Sequence, residues 1–154
     1  MECYQELDGR KARGTDGVSK EKYGENLEGN LTSLVASLKS MSYQPSPVRQ
    51  VLIPKEGKTG ATRPLGISNF EDKLMQKMIQ KTLDSIYEPL FLDCSFGFRP
   101  NKSCHNAIQS LGHHLLLNEV QTVIDLDLAD FFGSIDHTLL VGILRKKIKD
   151  QRFV

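Results

Sequence analysis

From Val120 to His137 the chain reads Val-Gln-Thr-Val-Ile-Asp-Leu-Asp-Leu-Ala-Asp-Phe-Phe-Gly-Ser-Ile-Asp-His, and no other stretch restricts the fold as tightly. Its first half alternates with the two-residue period of a strand. Val123, Asp125, Asp127 and Ala129 fall on one face, and Ile124, Leu126 and Leu128 on the other. The apolar face suits packing against helices. The acidic face is a poor core surface, because Asp is seldom fully buried unless paired or bound to a metal. It should meet water, a cation, or both. An aromatic pair, Phe131 and Phe132, follows, and Asp136 offers a helix N-cap.

Two readings of this stretch compete. In the plainer one a strand runs into a polar loop, and Asp130 and Asp136 serve as turn and cap residues. In the other, a carboxylate at the strand end holds Mg²⁺ for nucleotidyl transfer, and the neighbouring aromatic packs against a nucleotide sugar.

The rest of the chain decides between them. With 154 residues, 39% hydrophobic and 25% charged, it has enough material for one domain with a core or for part of a larger fold. No apolar run approaches the roughly 18 residues of a membrane span, and no signal-like segment follows Met1. Three cysteines without a CxxC pair suit a reducing cytosol, so a cytoplasmic location is expected. Cys94, Cys104 and His105 read as two buried thiols and a solvated imidazole rather than zinc ligands. A net charge of +1 permits nucleic-acid binding without demanding it, since such proteins concentrate charge locally.

In chain order, residues 1–14 read as a poorly ordered polar arm, and Gly14-Thr-Asp-Gly17 as a turn. Ser19 then caps an amphipathic helix over about residues 20–41, with Tyr23, Leu27, Leu31, Leu34, Leu38 and Met41 as its core stripe. Pro45 and Pro47 open an extended run, Val48 to Ile53. A Gly-rich loop follows, then a second strand from Thr62 to Ile67. The two strands make a β-hairpin whose tip carries Lys55, Lys58 and Arg63, either solvated charges or a grip for a triphosphate. Asn69 caps a helix with Asp72 in its first turn, and Pro89 stops it. Ser103 caps another helix to about Leu117, with Ala107, Ile108, Leu111 and Leu115 inward. Asp136 caps a last one carrying Leu139, Leu140, Ile143, Leu144 and Ile148. Between them, Ser95-Phe-Gly-Phe-Arg-Pro100 forms a rigid loop in which the phenylalanines plug a core and Arg99 pairs with a carboxylate.

Four of these strings resemble, in order, those of the reverse transcriptases encoded by group II introns. They are Gly14-Thr-Asp-Gly-Val18, the hairpin pair Ile53-Pro-Lys55 and Arg63-Pro-Leu-Gly-Ile67, Phe98-Arg-Pro100, and Asp127-Leu-Ala-Asp-Phe-Phe132 with Ile135-Asp136-His137. The family's last motif runs Asp-Ile-Lys-Gly-Phe-Phe-Asp-x-Ile-Asp-His. Here Ala129 and Asp130 replace Lys-Gly, and Gly133 stands where the family has Asp. The resemblance makes Asp127 the catalytic, Mg²⁺-binding carboxylate, and Lys55 and Arg63 the contacts to the incoming dNTP. It puts Leu128, Arg99 and the sugar-sensing Phe132 around that nucleotide, and Leu65, Gly66 and Ile67 near the template. Arg10, Lys11, Arg13, Lys20 and Lys22 are candidate RNA contacts.

The fold implied is α+β: the fingers and a partial palm of a right-hand polymerase, with helices packed on a β-hairpin and a small antiparallel sheet. Residues 1–118 would be fingers and 119–154 the start of the palm, with the remainder of palm, thumb and C-terminal domains absent. The implied protein is an RNA-directed DNA polymerase that also binds intron RNA as a maturase, with an RNA template, DNA primer and dNTP as partners. The family's Tyr-Ala-Asp-Asp strand does not occur in the sequence. Two metals about 3.5–4 Å apart need carboxylates from several strands, whereas Asp125 and Asp127 on one strand would have Cα atoms roughly 6.5–7 Å apart. The chain alone is therefore expected not to polymerise DNA. The alternatives are a non-catalytic RNA-binding module that assists splicing, or a retron, diversity-generating or CRISPR-associated reverse transcriptase. No membrane partner is expected, and the sequence leaves a homodimer open, because apolar surface left uncovered favours self-association.

Overall fold

The computed structural model describes residues 1–57 and 60–154; Lys58, the third hairpin cation expected from the sequence, lies outside the described residues. The architecture is α+β, and its one sheet among the described residues is a two-stranded antiparallel hairpin. Two compact units divide the chain, Met1–Asp84 and Ser85–Val154.

The first unit runs α1 (Glu2–Glu6), α2 (Lys20–Gly24), α3 (Leu27–Lys39), β1 (Arg49–Pro54), β2 (Thr62–Ile67) and most of α4 (Phe70–Tyr87). Its core is Tyr23, Leu34, Phe70 and Leu74, edged by Tyr4, Leu7, Leu31, Leu38 and Tyr43. These apolar residues recur at three- and four-residue steps, so each helix turns one stripe inward. The Phe70 ring lies 5.1 Å from that of Tyr23 and 5.9 Å from that of Tyr4, distances at which aromatic pairs attract.

Two expectations need correction here. The single helix over 20–41 is broken between Gly24 and Leu27: Glu25 is still helical, but Asn26 leaves the helical region with φ −130° and ψ 51°. Gly24 is a weak helix former, and a Cβ there would meet the Tyr4 ring, with Cζ 3.3 Å away. The break lets α2 and α3 present Tyr23 and Leu34 to one core. Nor is the N-terminus a loose arm. Tyr4 donates its hydroxyl hydrogen bond to the Lys20 carbonyl at 3.0 Å. On α4, Lys81 pairs with Glu2 at 2.5 Å and Glu6 at 2.6 Å, and Lys77 pairs with Glu6 at 3.4 Å. Partners 75 residues apart cannot be read from local pattern.

That strap has a pH signature. The hydrogen bond from Lys81 holds Glu6 below its ordinary value of 4.5, and the bonds to Glu2 and Glu6 push Lys81 up. A depressed carboxylate contributes fully above its unfolded-state value and loses the contribution as pH falls through the folded one. A raised ammonium contributes fully at neutral pH and loses it only in strong alkali. Docking of α1 is thus expected to be constant through neutral pH and to loosen below about pH 4.5. Protection factors of the amides in α1 should fall there before those of α4; equal loss in both helices would show that Tyr4 alone carries the docking.

The second unit holds the end of α4, a 3-10 turn at Glu88–Leu90, α5 (Cys104–Leu117) and α6 (His137–Lys147). Both caps form as expected. Ser103 accepts from the Asn106 amide at 3.3 Å, and Asp136 accepts from those of Thr138 and Leu139 at 2.8 and 3.1 Å. Their apolar stripes differ from expectation: Ile108 is 69% exposed, and Leu111, Leu115, Leu139, Leu140 and Ile143 are exposed too, while Ile148 is buried. The phenylalanine plug fails in part, since Phe96 is half-buried but Phe98 is fully exposed. Cys94 and Cys104 are exposed rather than buried. The expected strand at 120–128 does not form either. Residues 119–128 carry no regular structure, because a strand needs a neighbour for its N–H and C=O groups and none among the described residues pairs with it.

Candidate functional site

The hairpin is the best-defined candidate element. Its register pairs Arg49 with Ile67, Val51 with Leu65, Ile53 with Arg63 and Pro54 with Thr62. The Lys55 amide donates to the Ala61 carbonyl at 2.8 Å, which carries the ladder one step past β1. Directly opposed residues share a face and successive residues alternate. Lys55, Ile53, Val51 and Arg49 therefore lie on one face of the ribbon with Arg63, Leu65 and Ile67. The two cations are diagonal neighbours on that face, both exposed. Among the described residues neither forms an ion pair. Two exposed, unneutralised cations side by side suit a polyvalent anion. Leu65 is exposed, Gly66 lies on the opposite face against Val48, and Ile67 is buried at the hairpin root.

A set of polar contacts that the sequence does not mark as functional supports that root. The Asn69 side-chain oxygen accepts from the Thr15 amide at 2.7 Å, the Thr15 hydroxyl at 3.1 Å and the Asp16 amide at 3.3 Å. It thus serves the 14–17 turn, while its carbonyl accepts from Lys73 in the first turn of α4. Gly14 is buried against it. Asp72, 5% exposed, accepts from the Tyr43 hydroxyl at 2.5 Å and from the Ser46 amide at 3.3 Å. Burial, then the bond to Asp72, pushes the Tyr43 phenol up, so it stays a neutral donor. Burial and Glu71 do the same for Tyr23. The only sequence signals were the Gly-Thr-Asp-Gly string and the polar start of α4.

The N-terminal cations divide by environment. Arg10 pairs with Asp8 at 3.2 Å on the surface. Lys20 is a staple, donating to the carbonyls of Leu7 and Gln5 at 2.6 and 3.0 Å, and Lys22 is exposed. Lys11 and Arg13 line a cleft of about 330 Å³ together with Lys20, Lys73 and Lys77, and Glu6 and Asp8 also belong to its lining. Burial pulls the Lys73 ammonium down, and it donates to the Ala12 carbonyl at 2.5 Å.

In the second unit Arg99 meets the carboxylate expected of it, and Glu88 supplies it. Nε and Nη2 reach the Glu88 carboxylate at 2.9–3.2 Å, and Nη1 reaches the carbonyls of Leu92 and Ser95 at 2.8 and 2.9 Å. The hydrogen bond to Glu88 raises its pKa further. These contacts occupy four of the five guanidinium donors.

The acidic stretch is open. Asp127 and Asp125 are exposed, as are Leu128 at 71% and Phe132 at 80%. The Phe131 and Phe132 rings lie 5.5 Å apart with their planes tilted by 57°. Asp130 has a left-handed φ of 46°, a backbone state that favours Gly but that Asp tolerates. Its carboxyl carbon folds to within 2.8 Å of where a Gly133 Cβ would stand. Relative to the intron-encoded pattern, Gly and Asp have exchanged places: the folded Asp130 carboxylate leaves no room for a side chain at Gly133, while Asp130 itself holds a dihedral that Gly adopts more readily. Carboxylate oxygens such as that of Asp127 suit a hard cation. No group of three or more ligating side chains occurs among the described residues, so Asp127 fits as one ligand and not as a complete site.

The hairpin, the Arg99 loop and the acidic stretch carry the strings that resemble a reverse-transcriptase family, and comparison with known proteins shows the class to which the chain belongs. The family model for reverse transcriptase (RNA-dependent DNA polymerase) matches residues 53–151, and the chain belongs to that family. Its relatives include the group II intron-encoded protein LtrA of Lactococcus lactis subsp. cremoris, 37% identical over 97% of this chain and 24% of the relative. Protein YkfC of Escherichia coli is 36% identical over 95% and 39%, and a putative COX1/OXI3 intron 2 protein of Saccharomyces cerevisiae is 32% identical over 95% and 16%. The chain thus spans about a quarter of the length of the Lactococcus relative. No helix among the described residues is long and apolar enough to cross a membrane.

Proposed function

We propose that this chain is the nucleotide-gripping part of a group II intron-type reverse transcriptase, with fingers over residues 1–118 and the start of the palm over 119–154. The observation that carries the reading is the hairpin, which holds Lys55 and Arg63 exposed on one face with no ion-pair partner among the described residues. Arg63 offers a phosphate two parallel N–H donors, and Lys55 adds a point charge. The template strand runs past Leu65 and Gly66, with Ile67 holding the root.

Asp127 supplies one carboxylate ligand to Mg²⁺, which when bound orients the triphosphate and offsets charge developing on it. The exposed Phe132 ring excludes a 2′-hydroxyl from the sugar position, and Leu128 belongs to the same nucleotide site. Arg99 keeps one donor for the nucleotide side while the other four shape its loop. Intron RNA and the RNA template meet Arg10, Lys11, Arg13, Lys20 and Lys22, of which Lys11 and Arg13 open onto the basic cleft. That cleft also favours a second reading, RNA binding as a splicing assistant, which needs no catalytic carboxylate. Polymerisation by these residues alone is not expected, because one carboxylate does not complete the metal site.

In a polymerisation-competent protein containing these residues, Lys55→Ala with Arg63→Ala should raise the KM for dNTP roughly 10²-fold, from the loss of two charge-assisted contacts. Primer extension at varied dNTP measures it. An unchanged KM removes the hairpin from the nucleotide site.

A further inference from the structure

The hairpin has little packing to hold its angle. Along β1 every residue but Ile53 is exposed, and along β2 only Ile67 is buried. Each strand is six residues long, so the tip stands roughly 20 Å from the root, and a tilt of about 10° there would move it roughly 3.5 Å. Such a shift would break any phosphate hydrogen bond made at Lys55 or Arg63. Something at the root must fix the angle.

The root is tied by polar contacts. Arg49, the first residue of β1, pairs with Ile67, the last of β2. Pro47 lies two residues before the first and Asn69 two residues after the second, so these two positions are the feet of the hairpin. The Thr15 hydroxyl touches both, at 3.2 Å from the Pro47 carbonyl and 3.1 Å from Asn69 Oδ1. A hydroxyl has one proton, so it is shared between two acceptors that flank opposite strands. Asn69 holds the turn in place with two further backbone bonds, and Asp72 fixes the approach to β1 through the Ser46 amide.

We propose that Thr15 and Asn69 are positioning residues that set the angle of the Lys55/Arg63 hairpin by bridging its two feet. The consequence for nucleotide binding rests on the function proposed above; the bridge itself does not. Asn69 acts only as an acceptor in these contacts, so a carboxylate can replace its amide and an apolar side chain cannot.

The test uses the whole chain and four variants: Thr15→Val, Thr15→Ser, Asn69→Leu and Asn69→Asp. Amide hydrogen exchange reports the root at Thr15, Asp16, Arg49 and Ile67, and titration with dTTP and Mg²⁺ reports the tip. Thr15→Val and Asn69→Leu should speed root exchange about fivefold and weaken dTTP binding about fivefold, with the melting midpoint of Thr15→Val unchanged. Thr15→Ser and Asn69→Asp should restore both. Equal exchange in Thr15→Val and the parent overturns the bridge, as does an Asn69→Asp variant as impaired as Asn69→Leu. Should Asn69→Leu fail to fold, the exposed Thr15 pair decides alone. Should the parent bind no dTTP, the nucleotide reading fails while exchange still judges the bridge.

Discussion

Exchanging Asp127 for Asn in a polymerisation-competent protein that contains these residues is expected to lower the rate of primer extension roughly 10³-fold or more, about 4 kcal/mol of transition-state stabilisation. The substitution keeps side-chain size and removes the charge. A neutral amide oxygen is a much weaker ligand for a hard cation than a carboxylate. Folding should be untouched, because Asp127 is exposed and lies in a stretch without regular structure. The circular dichroism spectrum and melting midpoint should therefore match those of the parent. The same exchange at Asp125 should cost far less, since the family resemblance places the ligand at Asp127. Primer extension at saturating dNTP measures the effect. A rate for Asp127→Asn within tenfold of the parent, or a larger loss at Asp125, would take Asp127 out of the metal role.

What the sequence discloses here follows the range of the interactions involved. The hairpin, the start of α4 and the caps Ser103 and Asp136 are set by residues within a few positions of one another, and they stand where turn and cap chemistry puts them. The break after Gly24 depends on Tyr4, twenty residues earlier. The Asn69 side chain was legible as a helix cap, yet its oxygen serves Thr15 and Asp16, more than fifty residues away in the chain. Arg99 announced a carboxylate partner without naming Glu88. The acidic strand shows the opposite failure. Its alternation is sound, but a strand is a pairwise object, and the pattern alone cannot supply the neighbour. Likewise the stripes on α5 and α6 have the right period, yet most of their residues are left exposed by the described residues. The candidate site residues were legible one motif at a time; the polar scaffold under the hairpin was not.

Gly14→Ala should be the most damaging small change in the first unit, lowering stability by about 3 kcal/mol. Gly14 is buried, and a Cβ placed on it would stand 2.6 Å from both the Cα and the backbone nitrogen of Asn69. Those are main-chain atoms at the junction of β2 and α4, so no rotamer change relieves the overlap. Either the turn lifts off, breaking the three bonds to Asn69, or α4 shifts and disturbs Phe70 and Leu74 in the core. Gly17, three residues on, gives the control. It has a left-handed φ of 67° and no atom within 4 Å of an added Cβ, so Gly17→Ala pays only the dihedral strain, about 1 kcal/mol. For a chain of this size the first change should lower the melting midpoint by roughly 10 °C and the second by about a third of that. If Gly17→Ala proves the costlier of the two, the turn is held by its own dihedral angles and not by close approach to Asn69.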